Sequence, residues 1–263
     1  MPRASVSAVI PTKNVAAIIK PTLESLRFCD EVVIVDMHST DGTRELCCSY
    51  PNVTFLTRDD YIYGNFNFGA DAARSDWIIR LDSDEVLSDQ LRASIIDVLS
   101  ETMPAHSAYD AECHLYFLGK RLKHGFGGSR RVTLFRKGKA RYSVASEHEG
   151  LAISGSTGQL KGHYDHFTNP TISAWLKKID YYTERDVERV SDPIPEPPGK
   201  VFLKTVRLFQ RLYLGPGWMA KDGTLGFYVS SIAAFAYLLH HGKIWERYEA
   251  RQSSMQPEDV AQA

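Results

Sequence analysis

Apolar and polar positions alternate along this chain in blocks, and the blocks set out the fold. Ser5-Val6-Ser7-Ala8-Val9-Ile10 is a mainly apolar run stopped by Pro11-Thr12-Lys13-Asn14. A run apolar on both faces reads as a buried strand, with the proline as its terminator. Ile18, Ile19, Leu23 and Leu26 then recur at helical spacing, so a helix is expected that kinks at Pro21 or starts later than the pattern suggests. Glu31 to Val35 gives a second strand ending at Asp36, and Ser39 to Thr43 turns into a helix through Cys48, with Thr40 or Asp41 as its N-cap. Val53 to Leu56 predicts a third strand, Phe66 to Ala73 a helix, and Trp77 to Leu81 a fourth strand. Strands that alternate with helices and are apolar on both faces predict an α/β chain with a Rossmann-like, mostly parallel sheet flanked by helices.

The polar residues of this half gather where strands end. Thr12 and Asn14 follow the first strand, Asp36 closes the second, and Asp82, Asp84 and Glu85 follow the fourth. Ligands of open α/β sheets bind beyond the carboxyl ends of the strands. Caps and turns explain any one of these residues; their recurrence at one edge points to a site. Two carboxylates two residues apart repel unless a cation meets them, and short oxygen ligands suit Mg²⁺ or Mn²⁺. Ser88 is expected to cap a helix running to about Leu99.

Composition narrows the function classes. The 263 residues are 43% hydrophobic and 24% charged, as in ordinary globular proteins. The formal net charge of −1 offers no global field for nucleic acid. Cys29, Cys47, Cys48 and Cys113 lack metal-binding spacing, so reduced thiols are expected. The first apolar run is cut at Pro11, too short for a signal peptide. Leu225 to Leu239 falls short of the roughly 18 residues of a spanning helix. A soluble or peripheral protein is expected.

Three ordered segments carry a resemblance: Val9-Ile10-Pro11-Thr12-Lys13-Asn14, Val35-Asp36-Met37-His38-Ser39-Thr40-Asp41-Gly42-Thr43 and Leu81-Asp82-Ser83-Asp84-Glu85. Together they resemble family 2 glycosyltransferases of the GT-A fold. The resemblance implies that Pro11, Thr12, Asn14 and Asp36 hold the nucleotide, uridine or its equivalent, with Asn67 and Asp82 also contacting the donor. It implies that Asp82 and Asp84 hold the metal on the diphosphate. Met37 stands where many members have a second acid.

Beyond Tyr109 the pattern shifts to strands and loops. Gly125 to Gly128 reads as a flexible loop near an acceptor, and Arg130 and Arg131 are surface arginines or partners of a diphosphate or anionic acceptor. Ser146-Glu147-His148-Glu149-Gly150 is similar to the His-Glu pair of the subgroup that builds lipopolysaccharide core, which implies Glu149 as catalytic base, with Glu147 as the alternative. In Lys161-Gly162-His163-Tyr164-Asp165-His166 the resemblance implies that His166 completes the metal site, with His163 as runner-up. A helix follows from Trp175 to Val190, then a Pro-rich linker from Asp192 to Gly199. Basic and aromatic residues from Val201 onward, with the Gly217 to Gly223 element, resemble the tail of the same subgroup and suit a membrane interface. The expected division is a GT-A domain over 1–190 and a linker with a helical appendage over 191–263. The expected activity is inverting, metal-dependent transfer from a nucleotide-diphosphate sugar, UDP-linked, to a glycan or lipid-linked acceptor in cell-envelope or lipopolysaccharide synthesis. The expected place is the cytoplasm, peripheral on the inner face of the cell membrane. The alternatives are a nucleotidyltransferase, which should need a Gly-rich basic loop after the first strand, and a non-catalytic sugar-nucleotide binder.

Overall fold

A computed structural model describes residues 3–125, 129–143, 150–168, 170–188, 190, 194–216 and 219–255. The expected acceptor loop at 126–128, the 144–149 segment with Glu147, His148 and Glu149, residues 217–218 and the last residues, 256–263, lie outside the described residues.

The chain divides into two compact units, Met1–Leu115 with Gly128–Phe167, and Tyr116–Gly127 with Thr168–Ala263. In the first, β1 (Val6–Thr12), α1 (Lys20–Ser25), β2 (Glu31–Asp36), α2 (Thr43–Cys48), β3 (Val53–Thr57), α3 (Ile62–Ala72) and β4 (Trp77–Arg80) follow the expected alternation. The strands lie in the order β3-β2-β1-β4, all parallel. β1, β2 and β4 are buried at every position, which is why each is written as a mainly apolar run, with polar residues chiefly at its ends. Of the two readings of Pro21, the later start is the one seen: Pro21 occupies the first turn of α1, where its missing N–H costs no helical bond. Gly42, with φ +86°, takes the N-cap position of α2 in place of Thr40 or Asp41, while Asp41 Oδ1 accepts from the Thr43 backbone N–H at 3.1 Å.

The sheet then continues with strands that run antiparallel. β5 (Glu85–Leu87) leads into α4 (Asp89–Ser100), capped by Ser88, whose Oγ accepts from the Leu91 N–H at 3.2 Å. β6 (Ala108–Phe117), β7 (Lys120–Arg121), β8 (Arg130–Arg136), β9 (Ala140–Tyr142), β10 (Leu151–Ile153) and β11 (Thr157–Thr168) follow. The path beyond β4 is β8-β6-β11-β5, antiparallel at β4/β8, β6/β8 and β11/β5, while β9 and β10 form a separate pair. Apolar clusters cover both sheet faces, one around Ile10, Leu23, Trp77, Leu91 and Tyr164, the other around Val9, Phe66, Ile78 and Phe135. On the second face α3 lies close over the strands at Gly69, where a Cβ would come within 2.6 Å of Val9 and 2.8 Å of Val35.

The second unit holds the β7 turn, α5 (Ile172–Glu188), α6 (Pro198–Leu214), a 3-10 turn at Met219–Asp222 and α7 (Thr224–Met255). Lys243 of α7 reaches Asp180 at 2.7 Å and Glu184 at 3.1 Å of α5, and Arg247 reaches Glu184 at 3.2 Å. α5, which falls before the boundary expected at 190/191, lies in the same compact unit as the tail helices and is joined to α7 by these pairs. The apolar run at Leu225–Leu239 is the N-terminal half of a longer helix. The helix over residues 219–253 is long and apolar enough to cross a membrane by length and composition.

Candidate active site

The register places the predicted residues at one end of the parallel strands. Thr12 pairs with Asp36, and Val9 pairs with Arg80, so the loops after β1, β2 and β4 leave the sheet on the same side. Thr12 and Asp36 are buried, and the Thr12 hydroxyl donates to Asp36 Oδ1 at 3.1 Å. Asp36 also accepts from Ser39 through its backbone N–H at 2.8 Å and its hydroxyl at 2.5 Å. Asn14 adopts φ +52°, the left-handed conformation that Asn tolerates. It joins the two loops: its N–H donates to Ser39 Oγ at 2.7 Å and its Oδ1 accepts from Thr40 N–H at 2.8 Å. Thr12, Asn14 and Asp36 thus form one preorganised rim that shares Ser39. Pro11 lies buried in β1 beneath it.

Asn67 has a different place. It is buried in α3, its Nδ2 donates to the Tyr142 carbonyl at 2.9 Å and its Oδ1 accepts from Tyr142 N–H at 3.0 Å. This clamps α3 to β9, so the Asn67 amide is occupied by protein backbone and does not join the Thr12–Asn14–Asp36 rim.

At the acid turn the three carboxylates divide into separate jobs. Glu85 is fully buried and organises the turn: its Oε2 accepts from Asp82 N–H at 2.8 Å, and it takes Arg131 in a two-pronged bond at 2.9 and 2.5 Å. Arg131 also lies 3.4 Å from Asp82, and Arg80 lies 3.6 Å from it. Burial works against the Arg131 charge, but Glu85 and Asp82 outweigh it and hold the guanidinium firmly protonated. Removing one member of such a buried pair strands the other, at a cost of about 3–5 kcal/mol. Arg130, the next residue, points the other way and pairs with Asp110 at 2.6 Å. The sequence suggested surface or diphosphate roles for both arginines; Arg131 instead neutralises the protein's own acids. What sequence reasoning missed is the pairing of Glu85 with Arg131. The signal that could have found it is an Arg-Arg pair at a strand start, since alternation must send one of the two inward.

Asp84 is left facing a histidine. β11 runs beside β5 with His166 opposite Glu85, which brings His166 Nε2 to 3.4 Å from Asp84 Oδ1 and its Nδ1 to 3.7 Å from Glu85. Burial alone would push the His166 pKa down, yet bonds to Asp84 and Cys113 and the charges of Asp84 and Glu85 raise it to about 10. An oxygen of Asp84 with an imidazole nitrogen within reach is a pair of donors that fits a divalent cation such as Mn²⁺ or Mg²⁺. His163 points away from this group, and the two candidate histidines are thus separated by the strand's alternation.

Comparison with known proteins agrees with the motifs. Residues 7–151 match the family Glycosyl transferase family 2. The lipopolysaccharide core biosynthesis glycosyltransferase LpsC of Rhizobium meliloti (strain 1021) is 27% identical over 264 residues, covering 94% of each chain. An uncharacterized glycosyltransferase, RT0209, of Rickettsia typhi is 24% identical, covering 92% of this chain and 87% of that one. Among solved structures, S. aureus TarS 1-349 in complex with UDP is 12% identical with a TM-score of 0.47, covering 98% of this chain and 94% of that one. The fold is GT-A, a mostly parallel sheet flanked by helices and followed by a helical appendage. The motifs after β1, β2 and β4 all fall inside the matched residues, and the chain belongs to glycosyl transferase family 2.

Proposed function

We propose that this chain is a metal-dependent, inverting glycosyltransferase. It moves a sugar from a nucleotide-diphosphate sugar, UDP-linked, to a hydroxyl of a glycan or lipid-linked acceptor in cell-envelope or lipopolysaccharide synthesis. The observation that carries the reading is the meeting of Asp84 and His166 at 3.4 Å on the edge that also bears the Thr12–Asn14–Asp36 rim. The rim supplies a fixed set of acceptors and donors for the nucleoside, and Pro11 and Asp82 flank it. Asp84 and His166, with Asp82, would hold Mn²⁺ or Mg²⁺; bound there, the ion supplies positive charge against the leaving diphosphate. Arg131 and Glu85 keep the turn that presents Asp82 in one conformation. The similarity along 94% of LpsC supports the lipopolysaccharide assignment. Exposed apolar side chains on α6 and α7 support a peripheral place on the inner face of the cell membrane.

Inversion needs a carboxylate in hydrogen-bond reach of the acceptor hydroxyl, and Glu149 is assigned that role from the His-Glu pair. Glu149→Gln keeps size and hydrogen bonding but cannot take the proton. Transfer should fall by on the order of 10² to 10⁴ while donor affinity stays near wild type. Product assays with UDP-sugars, beside calorimetry of UDP with Mn²⁺, check both halves. If Glu147→Gln stops transfer and Glu149→Gln does not, the base is the earlier acid.

A further inference from the structure

His163 and His166 occupy opposite faces of β11, and the face that carries His163 holds a cluster the transferase reading does not use. Tyr164 and His166 share one face with Cys113 of β6, which bonds both. Alternation sends His163 and Asp165 to the other face, together with Glu112 and His114 of the neighbouring β6. There the His114 and His163 rings stack with centroids 3.6 Å apart. His114 Nδ1 lies 3.8 Å and His163 Nε2 3.6 Å from the same oxygen, Asp165 Oδ1. One ligand atom from each of the three residues falls within 4.8 Å of the others.

Two further observations point to a ligand at their centre. Asp165 Oδ1 is buried and accepts no hydrogen bond, an expensive state for a carboxylate oxygen, while both facing nitrogens stand too far off to donate. Glu112 Oε1 lies 3.1 Å from His114 Nε2. A carboxylate only accepts, so that bond places the ring hydrogen on Nε2 and, in the neutral ring, leaves the lone pair on Nδ1, the atom turned toward Asp165. A carboxylate behind a histidine in this way is the usual outer support of a zinc ligand.

We infer that His114 Nδ1, His163 Nε2 and Asp165 Oδ1 form a zinc site, with Glu112 orienting His114. The site is separate from the Asp84–His166 pair. Two imidazoles and one carboxylate suit Zn²⁺ over Mg²⁺, which prefers all-oxygen shells. Tetrahedral ligands at zinc–ligand distances of about 2.1 Å stand about 3.4 Å apart, so closing the cluster takes side-chain movement on the order of an ångström. Three protein ligands leave one position for water or another donor.

The test uses the full chain stripped with chelator and titrated with Zn²⁺ alone, in an Asp84→Ala background that removes the neighbouring acid ligand. Zinc retained after gel filtration is measured by elemental analysis, and affinity by chelator competition. The expected result is one tightly held equivalent, lost in His114→Gln and in His163→Gln, with Glu112→Gln weakening it by roughly 10 to 100-fold. Co²⁺ loaded into the unmutated chain should show a tetrahedral visible spectrum that Zn²⁺ displaces, a readout independent of how the variants fold. Absence of a tight equivalent in the Asp84→Ala chain would overturn the assignment. So would zinc held equally well without His114 and His163.

Discussion

Glu31 shows how single polar residues hold this sheet. It is buried at the start of β2, where it accepts from the hydroxyls of Ser7 at 2.9 Å and Thr54 at 2.9 Å and from the Arg74 N–H at 2.9 Å. Burial raises its pKa, but these donors and the Arg74 charge outweigh it and leave the carboxyl below its ordinary value. A pKa depressed in the folded state contributes stability above the unfolded value, about 4.3, and the contribution is lost as pH falls through the lower native value. Glu31→Gln should therefore cost about 1–3 kcal/mol at neutral pH, and the gap to wild type should close in acid below about pH 4. Urea unfolding at both pH values measures it; a gap that stays constant would show that charge is not what these donors select. Glu31 was readable only as the first residue of a strand, because its partners come from β1, β3 and the segment before β4. Glu85 was hidden for the same reason. Three acids within four residues can be read locally, but which of them turns inward depends on Arg131, more than forty positions later.

At the level of elements, continuous apolar runs were legible because a strand buried on both faces has no polar alternation to hide it. What the pattern could not give was the antiparallel half, where short strands such as β5 and β9 carry too few residues for any periodicity. The tail helices were legible as helices but not in their partnerships, since the α5–α7 ion pairs join residues 63 apart. Because those pairs seat α5 on α7, deleting the chain from Gly199 would also uncover α5, and point changes are the cleaner probe of membrane contact. Phe202 and Leu203 of α6 are 65% and 53% exposed, so aspartates there should change stability by no more than about 0.5 kcal/mol. They should nevertheless abolish flotation of the chain with anionic liposomes, because charge at an interfacial apolar face opposes insertion. Unchanged flotation of Phe202→Asp/Leu203→Asp would move any membrane contact off α6. Resistance of the wild-type chain to alkaline carbonate extraction would mark α7 as a spanning helix and not a surface one.

Across the whole molecule, the site was legible to the extent that it is built from strand ends. Thr12, Asn14, Asp36, Asp82 and Asp84 each lie within a few residues of the end of an apolar run, so their common edge follows from the parallel order alone. His166 joins them through β11, whose position beside β5 no local pattern announces; the resemblance preferred it to His163, and strand alternation puts the two on opposite faces. The account rests on Asp84 and His166 acting as a divalent-ion site that couples to nucleotide. Calorimetry of UDP binding with and without Mn²⁺ tests this in wild type, Asp84→Ala and His166→Ala. Wild type should bind UDP much more tightly with Mn²⁺ than without, Asp84→Ala should bind UDP alike in both conditions, and His166→Ala should keep a weakened Mn²⁺ effect. A full Mn²⁺ enhancement in Asp84→Ala would contradict the assignment and place the ion elsewhere.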